Sequence, residues 1–193
     1  LCHGVLHHLI NLELVLHRIN QALRPNGILL IYEYIGEDRW QFSDARMAVL
    51  KKSFPNVVFS VPPLWAVPGF ESVRSSDLLP LVRTCFSGVC KREVLYGGAY
   101  FPFVTCTPDR YDDLLPEVVR LDEACARDGT LAPCYLMGVY GKAPTTQLAA
   151  RPWTDEQLDA RLAPKMPVAA RLKRALKRTS VWRGLRSIKR RWS

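Results

Sequence analysis

An apolar stripe, a turn and an unbroken apolar run follow one another in residues 9–33, and this order constrains the fold most strongly. The stripe recurs at steps of three and four residues, as on one face of a helix; its members are Leu9, Leu12, Leu16, Ile19 and Leu23. The Pro-Asn-Gly of residues 25–27 predicts the end of that helix. Residues 28–32 show no alternation, which is typical of a parallel strand covered on both faces. The order predicts half of a doubly wound α/β unit, with Glu33 at the carboxyl tip of the strand.

Later patterns predict further helices and strands. The expected helices are residues 44–54, 75–86 and 110–128, and the expected strands are 90–96 and 133–142. Ser43 or Asp44 is the expected cap of the first of these helices, and Gly129 follows the last of them. Pro80 is expected near the first turn of the second helix, where its missing N–H costs least. The proline-rich residues 55–70 are expected to form an irregular connection over the end of the sheet.

Length and cysteine content are those of one globular domain. The chain has 193 residues, of which 48% are hydrophobic and 23% charged, so it can bury a core without disulfides or metals. None of its six cysteines forms a CxxC pair, which favours free thiols in a reducing cytosol. No apolar run approaches the ~20 residues of a membrane span, and neither a membrane span nor a signal peptide is expected. A cytoplasmic location is expected.

Basic residues are concentrated at the carboxyl end. Eleven of the 27 lysines and arginines, and none of the 18 acidic residues, lie in residues 165–193. Apolar side chains recur there at helical spacing; they include Val168, Leu172, Trp182, Leu185, Ile188 and Trp192. The sequence therefore predicts a domain in residues 1–143, a linker with a short helix capped by Thr154 in residues 144–164, and a basic amphipathic helix in residues 165–193.

Three partners fit this basic tail. An anionic membrane surface is favoured because apolar burial and charge attraction add there, which predicts a peripheral position on the inner face of the membrane. The acidic body of the chain or another protein is the second alternative. Nucleic acid is the least favoured, because basic charge alone is unspecific.

Residues 4–36, which read GVLHHLINLELVLHRINQALRPNGILLIYEYIG, resemble the section of class I S-adenosylmethionine-dependent methyltransferases that follows their fourth strand. The family shows a pattern similar to LHHL, then a helix, then LKPGG and a fifth strand. Asn26 stands where the family has a glycine, and asparagine also tolerates a left-handed turn. Residues 33–41 and 71–86 further resemble a bacterial subgroup associated with glycan or cell-surface metabolism. The resemblance covers about residues 1–142.

The resemblance implies a Rossmann-like methyltransferase fold that is incomplete at its N-terminus. Its implied cofactor is S-adenosylmethionine. Members carry a glycine-rich turn after the first strand and an acidic residue ending the second, and this sequence contains neither. Backbone must approach the donor closely at that turn, so we expect this chain alone to transfer nothing.

Ligands of open α/β sheets bind beyond the carboxyl ends of the strands. By the resemblance, residues 2–8 follow the fourth strand of the family, and the carboxyl end of that strand is where we expect the methyl donor to bind. The resemblance implies that residues there border the methionine part and methyl group of the donor; these residues are Cys2, His3, Gly4, Val5 and His8. His3 is a candidate catalytic residue that orients or deprotonates the acceptor. Its alternative role is that of a simple loop histidine.

The tip of the next strand is the expected acceptor side. A carboxylate at the mouth of a buried strand predicts that Glu33 binds a sugar hydroxyl or an amine, or acts as a catalytic base. The alternative is a salt bridge from Glu33 to Arg39 or Arg74. The expected acceptor-binding residues are Glu33, Tyr34, Arg39, Trp40 and Gln41. The expected acceptor is a small molecule or a glycan methylated on oxygen or nitrogen.

Methyl transfer needs alignment and exclusion of water rather than a covalent intermediate. No metal site is predicted, because His3 and His7 have a suitable spacing but lack an evident third ligand. Two rival functions stay open. One is a non-catalytic Rossmann-like scaffold whose basic tail binds membrane or a partner. The other is a different Rossmann enzyme such as a dehydrogenase, against which only the resemblance argues.

Overall fold

The computed structural model describes residues 1–64, 66–67, 69–107, 111–144, 154 and 156–157. Those within Leu1–Leu162 form an α/β fold with four strands and five α-helices. The strands are Cys2–His3 (β1), Ile28–Tyr34 (β2), Cys90–Tyr96 (β3) and Tyr135–Gly141 (β4). The helices are Leu12–Ala22 (α1), Asp44–Ser53 (α2), Ser75–Cys85 (α3), Tyr100–Cys106 (α4) and Leu115–Asp128 (α5). The expected α/β class is confirmed.

The four strands form one mixed sheet in the order β1-β2-β4-β3. β1 pairs with β2 in parallel, with Cys2 opposite Ile31. β4 lies between β2 and β3 and runs antiparallel to both. The last of these strands in the chain is therefore inserted between two earlier strands that point the same way. The carboxyl ends of β1 and β2 meet at one edge of the sheet, which is where open α/β sheets place their ligands.

α1 is the helix that the apolar stripe predicts. Leu12 and Leu16 are fully buried, and they pack with α3 against one face of the sheet. Asn20 binds the backbone of Ala143 twice, donating to its carbonyl at 3.0 Å and accepting from its N–H at 2.8 Å. This pair of bonds fixes α1 to the chain that follows β4.

β2 is not covered on both faces, which contradicts the expectation from its unbroken apolar run. Leu29 and Ile31 are buried, but Ile28 is 48% and Leu30 is 40% exposed. The side chains of α1 and α3 cover one face, whereas those of α2, α4 and α5 cluster around Tyr34 at the carboxyl end of the other. Within the described part of the chain, the amino end of that second face of β2 is therefore exposed. The unbroken apolar run predicted a strand covered on both faces, but an apolar run does not by itself show that both faces are buried.

The ends of α2 and α5 follow the expected chemistry. Ser43 caps α2, since its hydroxyl accepts a hydrogen bond from the backbone N–H of Arg46 at 3.3 Å. Gly129 ends α5 at a φ of 73°, a left-handed conformation that glycine adopts without steric cost. Strands β3 and β4 also form where predicted, and the described residues between 55 and 70 contain no helix or strand.

Two helical features differ from expectation. Pro80 is the sixth residue of α3 rather than part of its first turn, so α3 lacks the hydrogen bond that the N–H of this residue would make. α4 was not predicted at all, because its sequence YFPFVTC is poor in helix-forming residues. Tertiary contacts stabilise α4, above all those that Asp122 makes with its first amides.

The basic tail and most of the linker lie outside the described residues. Thr154 and Gln157 are described, and they bond reciprocally: the Thr154 hydroxyl accepts from the Gln157 N–H at 3.3 Å and the Gln157 side chain accepts from the Thr154 N–H at 3.0 Å. This capping box agrees with the predicted helix start. Among the described helices, none has the length and apolar character of a membrane span.

All six cysteines are free thiols. Four of them are buried, namely Cys85, Cys106, Cys125 and Cys134, while Cys2 is half-buried and Cys90 is exposed. Burial raises the pKa of the Cys85 thiol to about 11 and that of the Cys106 thiol to about 12. These buried thiols therefore stay protonated near neutral pH and act as small apolar side chains.

Candidate active site

Glu33 is the structural centre of the site. Its side chain is fully buried. One carboxylate oxygen, Oε1, accepts hydrogen bonds from the backbone N–H groups of Val5 at 2.8 Å and Leu6 at 3.0 Å. The other oxygen, Oε2, lies 2.8 Å from Nδ1 of His7. Glu33 therefore holds the turn that follows β1 and fixes the orientation of the His7 ring.

The hydrogen bonds keep the Glu33 carboxylate charged in spite of its burial. Burial by itself raises the pKa of Glu33, but the bonds from His7, Leu6 and Val5 outweigh it, so the pKa lies below its ordinary value. An ionised carboxylate only accepts hydrogen bonds, so Nδ1 of His7 is the donor. In the neutral imidazole, Nε2 then carries the lone pair.

Glu71 faces two imidazole rings. Its Oε1 lies 3.5 Å from Nε2 of His7, and its Oε2 lies 3.6 Å from Nδ1 of His8. The His7 and His8 rings are close, with centroids 4.0 Å apart. His7 therefore lies between two carboxylates, Glu33 on the buried side and Glu71 on the outer side. Both contacts of Glu71 are longer than an ordinary N–H···O hydrogen bond.

The backbone beside Glu71 is strained and firmly held. Ser72 has a φ of 48°, which is uncommon for a residue with a side chain. Its carbonyl accepts a hydrogen bond from the N–H of Arg39 at 2.8 Å, and its hydroxyl donates to Oε1 of Glu71 at 3.0 Å. Arg39 and Trp40 also have φ values of 54°. Such strain persists only where the surroundings fix it, and it concentrates at functional sites.

A pocket of about 220 Å³ opens beside this cluster. It lies at the carboxyl ends of β1 and β2, and α4 and the connection after α2 also contribute walls. The lining residues are His3, Gly4, His7, Tyr32, Tyr34, Trp40, Glu71, Phe101 and Tyr135. Most of the wall is aromatic, and its ionisable groups are a carboxylate and two imidazoles in addition to tyrosines. Such a pocket suits a flat or ring-shaped molecule with hydroxyl or amino groups.

The aromatic side chains of the wall pack on one another. Tyr32 and Tyr135 stack with ring centroids 5.8 Å apart, and Phe101 meets Tyr135 edge to face at 5.3 Å. Burial, followed by the neighbouring Tyr32, raises the pKa of Tyr135 to about 12. The Tyr135 phenol is therefore neutral near pH 7 and keeps its hydroxyl proton.

The five residues predicted on the donor side do not all reach the pocket. His3 and Gly4 line the pocket, and Gly4 adopts a φ of 62°. Val5 contributes its N–H to Glu33, and His8 lies against Glu71. Cys2 instead packs against the core on the α1 and α3 side, so it lies away from the pocket.

Glu33 itself does not line the pocket. Its carboxylate is fully buried beneath His7, so the predicted direct contact between Glu33 and an acceptor does not fit this placement. The alternative salt bridge does not fit either, because the partner of Glu33 is His7. Arg74 pairs with Glu13 at 2.7 Å and with Asp77 at 2.8 Å.

The other predicted acceptor residues divide into two groups. Tyr34 and Trp40 line the pocket. Arg39 and Gln41 instead bind the backbone of the connection in residues 55–70, called the outer loop below. Arg39 donates to the carbonyl of Gly69 at 2.8 Å and Gln41 to that of Pro62 at 3.0 Å.

Sequence reasoning missed four contributors to the site: His7 as a member of its charged cluster, and Glu71, Phe101 and Tyr135. The LHHL motif contains His7, but Glu33, the carboxylate that binds its ring, lies 26 residues away in β2. Glu71 follows a segment without periodicity, and no local signal places it beside the histidines.

Comparisons of this chain with protein-family models, with curated proteins and with solved structures give no match.

Proposed function

We propose that this fold is part of a class I S-adenosylmethionine-dependent methyltransferase, and that its pocket holds the methyl acceptor beside the methyl group of the donor. The observation that carries the proposal is the pocket at the carboxyl ends of the parallel strands β1 and β2. It lies at the tip that the LHHL resemblance associates with the donor methyl group. The mixed α/β sheet supports the proposal, because it is compatible with the Rossmann-like fold that the resemblance implies.

The chemistry proposed for the pocket is transfer of a methyl group to a hydroxyl or amine. An acceptor hydroxyl loses its proton to an imidazole while its oxygen bonds to the methyl carbon. The carbon–sulfur bond of the sulfonium breaks, and its electron pair stays on sulfur. The protein's contribution is to align the two molecules and exclude water. We assign proton acceptance to His3, because Nε2 of His7 faces Glu71.

The aromatic wall narrows the acceptor class within this proposal. Sugars present apolar C–H faces that pack on aromatic rings, and their hydroxyls need polar partners at the edges. Tyr32, Trp40 and Phe101 offer such faces, and His3 offers the polar edge. A glycan or another hydroxylated ring is therefore the proposed acceptor.

Donor binding is the experiment that tests the proposal. The natural protein, with any residues that flank these 193, is titrated with S-adenosylmethionine and followed by calorimetry. The proposal expects saturable binding with one donor per chain, competed by S-adenosylhomocysteine. The absence of saturable binding would overturn it.

A pair of glycine variants locates the donor. Gly4 and Gly88 have φ values of 62° and 73°, and a Cβ added at either meets no atom within 4 Å. Gly4→Ala and Gly88→Ala therefore share the same backbone strain, roughly 1–2 kcal/mol each. Gly4 lines the pocket, whereas Gly88 does not. The expected result is weaker donor binding for Gly4→Ala alone, and equal affinities would remove the donor from this pocket.

A further inference from the structure

We infer that His7, His8 and Glu71 form a binding site for one divalent transition-metal ion, with zinc as the best fit. One ring nitrogen of His7, one ring nitrogen of His8 and one carboxylate oxygen of Glu71 all lie within 4.8 Å of one another. Two imidazoles and one carboxylate are a recurrent ligand set for zinc and related ions. This inference stands on the cluster alone and does not depend on methyl transfer.

The spacing of the cluster fits a metal better than a direct hydrogen bond. Zinc binds nitrogen and oxygen at about 2.0–2.2 Å in a tetrahedron, so two ligand atoms lie roughly 3.3–3.5 Å apart. Oε1 of Glu71 lies 3.5 Å from Nε2 of His7, and its other oxygen, Oε2, lies 3.6 Å from Nδ1 of His8, so each carboxylate oxygen faces one imidazole ring. A shared proton would draw each pair to about 2.8 Å.

The second observation is the Glu33 carboxylate beneath His7. Metal-binding histidines characteristically donate their other ring N–H to a carboxylate, which fixes the tautomer and orients the ring. His7 donates from Nδ1 to Glu33 at 2.8 Å, which leaves the Nε2 lone pair directed toward Glu71. Ser72 performs a similar task for Glu71, because its hydroxyl holds Oε1 at 3.0 Å. The ligands are therefore oriented before any ion arrives.

Charge and access favour a cation at this position. Glu33 and Glu71 bring two negative charges to opposite sides of His7, and a divalent ion would balance them. His7 and Glu71 also line the pocket, so a fourth ligand position can be taken by water or by a bound molecule, as in catalytic zinc sites. Imidazole ligands select zinc and its neighbours over magnesium, which prefers an all-oxygen shell.

The site also defines an acceptor within the proposed function, and this extension rests on that proposal. A hydroxyl bound to the fourth position would release its proton more readily, because the ion stabilises the oxygen anion. The substrate class is then a hydroxylated ring that reaches the metal through one oxygen. A zinc-binding experiment needs neither donor nor acceptor, so its failure would leave donor binding untouched.

The test is a zinc titration of the natural protein after treatment with a chelator and dialysis. Calorimetry is expected to give one zinc ion per chain, with magnesium giving no comparable heat. His8→Ala and Glu71→Gln are expected to weaken zinc binding roughly tenfold or more. Both side chains are partly exposed, so circular dichroism should show that each variant folds.

Two control variants test whether side chains outside this cluster contribute to zinc binding. His17→Ala removes a histidine from α1 outside the cluster, and Cys90→Ser removes the exposed thiol. Both are expected to bind zinc as the unmodified protein does. Cobalt should give a visible spectrum without the near-ultraviolet band of a cobalt–thiolate bond. No saturable zinc binding, equal affinity in Glu71→Gln and His17→Ala, or a thiolate band would each overturn the assignment.

Discussion

Two buried carboxylates, Glu33 and Asp122, do similar structural work at two strand ends. Glu33 accepts from the backbone N–H groups of Val5 and Leu6 after β1. Asp122, on α5, accepts from Gly97 at 2.8 Å after β3. It also accepts from the first amides of α4, those of Ala99 and Tyr100, at 2.6 and 3.1 Å. Each carboxylate lies near a pocket of similar volume, about 220 Å³ for the candidate active site and about 240 Å³ beside Asp122.

The difference between the two carboxylates lies in their third donor. All three donors to Asp122 are backbone amides, and the pocket beside it is lined mainly by apolar residues. Glu33 instead holds the side chain of His7, whose far nitrogen faces Glu71. A buried carboxylate therefore stabilises a turn in both places, and at Glu33 it also fixes the orientation of an imidazole ring.

The largest effect is expected from Glu33→Ala. The variant leaves the buried amide of Leu6, the partly buried amide of Val5 and the His7 ring without their acceptor, and it should lower the free energy of unfolding by about 3–5 kcal/mol. Urea denaturation followed by circular dichroism measures the change. A loss below about 1 kcal/mol would show that other groups or water satisfy these donors.

Asp122→Asn should have a smaller effect that is confined to stability. Asparagine keeps one acceptor oxygen but places an amide group against buried N–H donors, so a loss of about 1–3 kcal/mol is expected. The exposed Glu123→Gln on the same helix is the control, expected within ~0.5 kcal/mol of the unmodified protein. Equal free energies of unfolding for Asp122→Asn and Glu123→Gln would show that the Asp122 carboxylate does not stabilise the fold.

The pH dependence of the free energy of unfolding tests whether Glu33 stabilises the fold through its negative charge or only through the size and position of its side chain. Hydrogen bonds hold the pKa of Glu33 below its ordinary value in the folded state. Its stabilising contribution is therefore complete above the unfolded value of ~4.3 and declines as the pH falls through the folded pKa. The stability difference between the unmodified protein and Glu33→Gln, measured by urea denaturation from neutral to acid pH, should shrink at the acid end. A difference that grows toward acid would contradict this sign.

The smallest effect is expected from Gln41→Ala. Gln41 is exposed and binds the carbonyls of Arg39 and Pro62, both at 3.0 Å, so global stability should change by less than ~1 kcal/mol. Local opening of the outer loop should increase, and hydrogen exchange at the Arg39 amide should be faster. The Tyr100 amide, which Asp122 holds, serves as the internal reference. Equal acceleration at both amides would indicate a general rather than a local change.

Local patterns predicted most of the secondary structure, because they depend on neighbouring residues. The stripe from Leu9 to Leu23 predicted α1, and Ser43 and Gly129 mark helix ends by their own chemistry. α4 was not predictable in this way. Its helix depends on Asp122 binding the first amides and on Phe103 packing in the core, and both arise only when distant segments meet.

The candidate site was only partly predictable for the same reason. The sequence drew attention to His3, Gly4 and Glu33 because they lie at strand tips, where α/β sheets bind ligands. It could not show that Glu33 turns inward to His7, since the choice between pocket and interior depends on the amides of the turn after β1. Nor could it place Glu71, which reaches the histidines from a segment with no periodicity.

The central claim is that Glu33 orients a metal ligand whereas Asp122 has only a structural role. The most direct test compares the zinc affinities of the variants Glu33→Gln and Asp122→Asn. Calorimetric titrations are made at a temperature and pH where both variants are folded. If Glu33 orients a metal ligand, Glu33→Gln should weaken zinc binding about 10–100-fold, while Asp122→Asn should leave it unchanged. Equal affinities in the two variants would contradict the account, because Glu33 would then be a structural carboxylate like Asp122.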